Sequence, residues 1–128
     1  MFSSVLLLFL GQAQAGARDL GSFVVEMTPI ISAKGCRRKA SPKTEVWSLS
    51  QQGSGRVMIR VKDKQVIYAG YKQQGVLEMQ SVRKSKGKVV STSILNLSLE
   101  DGSLTGHRMV TNSAECGYLY AVKGEPGK

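Results

Sequence analysis

Between Thr44 and Val122, the chain consists of short segments in which apolar and polar residues alternate. These segments are separated by glycine, polar or charged residues. A period of two is typical of a β-strand with one buried face. The clearest segments are EVWSLSQ (45–51), RVMIRVK (56–62), QVIYAGY (65–71), VLEMQSV (76–82), KVVSTSILNLSL (88–99), SLTGHRMVT (103–111) and GYLYAVK (117–123). A leading segment, SFVVEMT (22–28), has the β-branched and aromatic residues of a further strand, and Pro29 limits its continuation. The pattern therefore predicts eight strands and no helix.

Short turns link these segments, except after the first one. Asp101-Gly102 is the strongest turn signal, because this pair readily accepts positive φ. Consecutive antiparallel strands of this number favour an all-β, up-and-down meander that closes into a barrel, since closure removes exposed edges. A sandwich and an open, strongly curled sheet are the alternatives.

The chain of 128 residues has room for one domain, and its 41% hydrophobic content is ordinary for a globular protein. We expect a lead strand and basic arm over residues 16–43, which form one domain with the meander over 44–123. Residues 124–128 are expected to be a frayed tail.

Residues 1–15 differ in kind from the rest. An apolar core from Val5 to Leu10 precedes Ala13-Gln14-Ala15, which matches the small-x-small pattern of signal peptidase sites. This predicts cleavage after Ala15 and a secreted or periplasmic protein, although no Lys or Arg opens the segment. A buried N-terminal strand or helix is the alternative. The apolar run is too short to span a membrane as a helix, which needs about 20 apolar residues.

The two cysteines fit an exported chain, in which pairing is the default. Cys36 precedes the meander and Cys116 begins its last segment, so a disulfide would tie the leading arm to the closing strand. Such a bond would stabilise the fold by roughly 4 to 5 kcal/mol in the chain-entropy model. Free buried thiols are the alternative. Two cysteines and one histidine are a poor metal set, so no metal site and no cofactor are predicted.

The net charge of +9 is large for this length and favours anionic partners, such as an acidic polysaccharide or an anionic surface. The basic residues form two clusters, which the pattern puts outside the strands. Candidate partner-binding residues are Arg37, Arg38 and Lys39 in the first cluster, which also contains Lys34 and Lys43, and Arg83, Lys84, Lys86 and Lys88 in the second. Neither cluster interleaves aromatic residues for base stacking, so no specific nucleic-acid motif is present. Solvated loops that confer solubility are the alternative interpretation.

Two stretches carry a resemblance to a known group of proteins. Trp47 through the Gly53-Ser54 turn to Ile59, and Leu104-Thr105-Gly106 after Asp101-Gly102, resemble the first hairpin and the strand starts of small lipocalin-like and avidin-like barrels. The resemblance implies a non-enzymatic exported binding protein with a ligand at the barrel mouth, and Trp47 as a mouth or floor residue. The basic arm and the cysteine pair depart from the avidin pattern, so no particular ligand is carried over.

No catalytic residue is predicted. His107 is the only histidine and lies mid-segment, opposite the face of Leu104 and Val110, while no serine has a nucleophile-elbow context. Walker-type and Rossmann glycine motifs are also missing from the sequence.

Three hypotheses for function remain. The first is a barrel protein that binds a small or extended ligand; it requires an internal cavity lined by residues such as Trp47, Tyr68 and Tyr120, and a filled core would exclude this hypothesis. The second is a protein-directed module, such as an enzyme inhibitor, that acts through residues 30–43 or 83–88. The third is a protein that binds polyanions through its basic loops, with strong salt dependence. The first is favoured slightly over the second.

Overall fold

The computed structural model of the chain describes residues 17–32, 36, 39–112 and 116–127. Eight antiparallel strands, each paired with the next and the last with the first, form a closed barrel. The strands are β1 (Ala17–Ser32), β2 (Lys43–Gln52), β3 (Arg56–Val61), β4 (Ile67–Gln73), β5 (Val76–Ser85), β6 (Lys88–Glu100), β7 (Ser103–Asn112) and β8 (Gly117–Pro126). The predicted all-β barrel is confirmed, and the sandwich and the open sheet are excluded. The presumed signal peptide, residues 1–15, lies outside the described residues.

The core fills the inside of the barrel with the apolar residues of the alternating pattern. Trp47, Leu49, Ile59, Leu95 and Leu104 are fully buried, while the residues between them face outward. One buried face on each strand explains why the pattern located the strands well. β4 follows the same rule, because Tyr68 is buried whereas Ile67 and Tyr71 are exposed.

The first and last strands are longer than the alternation indicates. β1 continues past Pro29, where a bulge follows and where β1 pairs with β8 but no longer with β2. A proline is tolerated at such a position because one side of the strand has no neighbouring strand that needs a backbone N–H as a hydrogen-bond donor. β8 includes Gly124 to Pro126, which the pattern assigns to a frayed tail, because these residues pair with Phe23 to Val25 of β1.

Two glycines let neighbouring strands approach closely. A Cβ on Gly70 would collide with the carbonyl oxygen of Glu78 and lie 2.7 Å from the Cα of Met79. A Cβ on Gly106, whose φ is +155°, would collide with the carbonyl oxygen of Asn96. Glycines of this kind provide the sharp bends that close a small barrel.

The up-and-down order divides the connections between two ends of the barrel. One end, which we call the turn end, contains three short turns, at 53–55, 74–75 and 101–102. The other end, the basic end, contains the connections at 33–42, 62–66, 86–87 and 113–116. Cys36 and Cys116 form the predicted disulfide and lie in two of the connections at the basic end.

Candidate functional site

The described residues of both basic clusters belong to the same end of the barrel. Lys39 and Lys43 are far from the second cluster in the sequence, but these residues occupy or flank the β1–β2 and β5–β6 connections, which an up-and-down barrel directs to one side. The β3–β4 connection adds Lys62, Asp63 and Lys64 there, which together carry a net positive charge. The three turns of the opposite end contain a single charged residue, Asp101. The fold therefore concentrates positive charge that the sequence shows only as two separate runs.

The second cluster does not lie in a loop, and that part of the prediction is wrong. Arg83 and Lys84 end β5, Lys88 begins β6, and only Lys86-Gly87 forms the turn. Lys84 pairs with Val89 and Ser85 with Lys88. We call residues 83–90 the basic ribbon. The alternation missed this part because the ribbon is exposed on both faces, so it has no buried side to impose a period of two.

The basic ribbon extends beyond the rest of the barrel wall. Among the described residues, the β4–β5 pairing ends at Gln80 and the β6–β7 pairing at Ser91. Residues 83–90 therefore pair only with each other and with Ser91, the last described β6 residue that pairs with β7. Its four cations, Arg83, Lys84, Lys86 and Lys88, are all exposed, and the ribbon contains no acidic residue. The ribbon thus presents a dense positive charge on a hydrogen-bonded frame.

The first cluster is only partly described. Lys39 is exposed in the β1–β2 connection, and Lys43 begins β2. Ala40 packs against the core, and its backbone N–H donates to Ser32 Oγ at 3.4 Å. Arg37 and Arg38 lie outside the described residues, so their role in partner binding stays a prediction.

Among the described residues, the two central aromatic side chains, Trp47 and Tyr68, border no cavity for an internal ligand. Trp47 and Tyr68 are 0% and 1% exposed, and their ring centroids are 5.9 Å apart. A side chain that bordered a void wide enough for water would keep free surface, and these two rings have essentially none. That Trp47 and Tyr68 contact a ligand stays a prediction. Their rings have no free surface for such a contact. Tyr120 is also buried, but it lies closer to the basic end, among polar groups.

Polar and charged side chains replace apolar ones where the inward faces reach the basic end. The Tyr68 hydroxyl shares a hydrogen bond of 3.0 Å with Ser93 Oγ, and Arg108 Nε donates to the same oxygen at 2.8 Å. Arg108 Nη1 also contacts Met27 Sδ at 3.5 Å. The inward position of Arg108 follows from alternation with Leu104, although a charged residue there gives no sequence signal of its own. We call the group formed by Lys43, Ser93, Arg108 and Tyr120 the mouth.

Two cations converge on one aromatic ring in the mouth. Arg108 Cζ lies 5.6 Å from the Tyr120 ring centroid, and Lys43 Nζ lies 5.9 Å from it. Such contacts are attractive because the ring face is electron-rich. Partial burial, and then the positive charge of Arg108, lower the pKa of Lys43. Burial also raises the pKa of Tyr120, which the charge of Arg108 opposes.

The nearest described carboxylate is already occupied. Glu45 Oε2 lies 2.6 Å from Lys64 Nζ, and Glu45 Oε1 accepts a hydrogen bond of 3.0 Å from Trp47 Nε1. Burial raises the pKa of Glu45. The hydrogen bonds from Lys64 and Trp47, together with the positive charges of Lys64 and Arg108, outweigh burial and lower this pKa overall. This is the one ion pair among the described residues, so the positive charge of the mouth is in excess.

The described residues contain no group of three or more His, Cys, Asp or Glu side chains that could hold a metal ion. His107 is exposed on the outer face of β7, between Asn96 and Ala121 of the neighbouring strands. No helix in the described part of the chain is long and apolar enough to cross a membrane.

Comparison of the chain with protein-family models, with curated proteins and with solved structures gives no match. The resemblance to lipocalin-like and avidin-like barrels therefore stays a prediction beyond the barrel fold itself.

Proposed function

We propose that this protein is an exported, non-enzymatic binding protein that holds an extended, negatively charged ligand across the basic end of its barrel. The observation that carries the proposal is the presence of Lys39, Lys43 and the basic ribbon at one end, opposite an end whose turns are almost uncharged. The disulfide supports export, because such bonds persist in oxidising compartments. An acidic polysaccharide is the ligand class that fits a dense positive charge without stacking rings.

The filled core supports an external rather than an internal ligand. An extended ligand that lies over the basic end would contact the basic ribbon, the β3–β4 connection and the mouth. Binding of this kind depends on charge neutralisation, so affinity falls as salt displaces the ligand.

Equilibrium binding to a heparin oligosaccharide of defined length, from about 50 to about 300 mM NaCl, tests the proposal. We expect the variant with Arg83, Lys84, Lys86 and Lys88 all changed to Gln to lose about 10-fold or more in affinity at low salt. The dependence of log affinity on log salt should become shallower, by up to about one unit for each ligand contact removed.

A matched control changes the four cations Arg18, Arg56, Lys72 and Lys123 to Gln. These residues lie in the half of the barrel nearer the turn end, and the substitution removes the same net charge. We expect the control to retain the salt dependence of the native protein. Equal losses in both variants would mean that net charge alone drives binding, and an affinity unaffected by salt would exclude a polyanion ligand.

A protein-directed module is the second candidate function. The observation that favours it is the open edge of β5 beyond Gln80, where the described β4 residues no longer pair with it. An extended segment of an acidic protein could add to such an edge by backbone hydrogen bonds. Loss of heparin binding together with retention of a protein partner by the four-Gln ribbon variant would favour this second function.

A further inference from the structure

We propose that the mouth is a subsite for a single oxyanion group of the ligand, a sulfate or a carboxylate, held by Arg108 and Lys43 beside the ring of Tyr120. This inference rests on the proposed function and adds to it a particular site and a particular chemical group.

Arg108 has no negatively charged hydrogen-bond partner among the described residues. Its guanidinium is half-buried, yet its described partners, Ser93 Oγ at 2.8 Å and Met27 Sδ at 3.5 Å, are both neutral. A guanidinium has five N–H donors in a planar fork that matches an oxyanion. No buried side-chain nitrogen or oxygen among the described residues lacks a partner, so the remaining donors of Arg108 reach the solvent side of the mouth.

Buried side chains hold one end of the Arg108 guanidinium in place. Ser93 is 7% exposed, and its hydroxyl is held by Tyr68, which is itself buried in the core beside Trp47. The Nε atom of Arg108 is therefore anchored by a buried chain of hydrogen bonds, while the other end of the guanidinium is left for a ligand. An anchored cation loses less conformational entropy on binding than a free surface side chain.

The mouth has an excess of positive charge. Lys43 and Arg108 approach the same ring, and their mutual repulsion contributes to the lowered pKa of Lys43. The charge of Glu45 acts on both cations, but it is a single carboxylate that is also paired with Lys64, so it does not neutralise both. An oxyanion between the two cations would convert this repulsion into two charge-assisted contacts.

The depth of the site limits what it accepts. Tyr68 and Trp47 close the interior directly beneath the mouth, so one anionic group enters and the rest of the ligand stays outside. A shallow anion subsite of this kind orients an extended ligand, whose remaining charges then lie towards the basic ribbon.

NMR of the oxidised protein tests the subsite directly. The side-chain signals of Arg108 Nε–H and Lys43 Cε are followed while inorganic sulfate or acetate replaces chloride at constant ionic strength. We expect a saturable shift of both signals with at least one of the two anions. The stronger anion then identifies the group, a sulfate or a carboxylate. Signals that follow ionic strength alone would overturn the subsite.

Substitution provides an independent test. Arg108→Gln should abolish the saturable shift at Lys43 and weaken binding of the heparin oligosaccharide by about 10-fold, the value of one hydrogen bond to a charged group. Arg56→Gln is the matched control, because Arg56 is an exposed arginine that begins β3 at the turn end of the barrel. Arg108→Lys keeps the charge without the fork, so a native-like unfolding midpoint with an intermediate affinity would exclude a folding defect as the cause.

The two proposals fail separately. If the ribbon variant loses heparin binding while Arg108→Gln and both small anions have no effect, the basic end binds polyanions without a subsite. If neither variant changes heparin affinity but the small-anion shifts are saturable, the subsite serves a ligand other than a polyanion.

Discussion

The two ends of the barrel are built by different means. The turn end is shaped by backbone geometry: Gln74-Gly75 and Asp101-Gly102 both have positive φ and join adjacent strands with two-residue turns. At the basic end, the β5–β6 turn Lys86-Gly87 is of this same kind, but the other connections are longer and the end also has a disulfide and many like charges. A cross-link between distant segments therefore adds to local turn geometry at the basic end. An end that gathers like charges is the better candidate for binding an ion of opposite charge.

Removal of the disulfide should have the largest effect. The double variant Cys36→Ser with Cys116→Ser frees a loop whose ends are 80 residues apart in sequence, so the free energy of unfolding should fall by about 4.5 kcal/mol in the chain-entropy model. Urea unfolding of the variant, and of the native protein with and without a reductant, measures the change. Equal unfolding midpoints for the reduced and oxidised native protein would show that the cross-link does not hold the basic end.

Substitution of Gly70 should have the next largest effect on stability. It tests the role of backbone geometry in the half of the barrel nearer the turn end. Gly70→Ala forces a methyl group into the backbone of Glu78 and Met79, so we expect a loss of about 3 kcal/mol in unfolding free energy. Gly87→Ala, in the ribbon turn, meets open space and should cost about 1 kcal/mol for its positive φ alone. Thermal unfolding of both variants distinguishes a packing requirement from a conformational one; similar losses would refute the close-approach explanation for Gly70.

The pH dependence of stability should show a smaller effect at the basic end. The pKa of Glu45 is below its ordinary value of 4.5 in the folded state, so its stabilisation is present above that value and is lost as pH falls through the folded pKa. Lys64 is half-exposed, so we expect only about 0.5 kcal/mol from the pair. The difference in unfolding free energy between native protein and Glu45→Gln, measured at about pH 7 and about pH 3, should shrink at the lower pH.

An exposed carboxylate elsewhere provides the control for this measurement. Glu78 lies on the outer face of β5, and Glu78→Gln should leave the pH dependence close to that of the native protein. A difference between native protein and Glu45→Gln that stays constant over the whole range would contradict the ion pair as its source.

Much of the fold was predictable because burial acts on one face of each strand. Val57, Ile59 and Val61 are buried while Arg56 and Arg60 are exposed, as the alternation indicates. The same reasoning failed at Arg83 and Lys84, where neither face is buried, and at Gly124 to Pro126, where pairing with β1 rather than a side-chain pattern defines the strand. Sequence patterns report a buried face, and they are silent where only backbone pairing holds the chain.

The candidate site was predictable only in part. The basic residues of the ribbon were visible as a charge run, and Tyr120 was identified as an inward aromatic residue. Arg108 was missed, because one arginine among apolar alternate positions has no distinctive spacing. Its importance arises from Ser93, Met27 and Tyr120, which lie on three other strands.

The sequence by itself determined the all-β class, the number of strands, the Asp101-Gly102 turn and the total charge, because each depends on neighbouring residues or on composition. Only the tertiary structure decided which residues meet. Barrel closure brings β8 to β1, directs Lys39, Lys43 and the basic ribbon to one end, and gathers Lys43, Ser93, Arg108 and Tyr120 from four strands into the mouth. The physical reason is that strand order and register, and not sequence distance, determine which side chains share an end of a closed sheet.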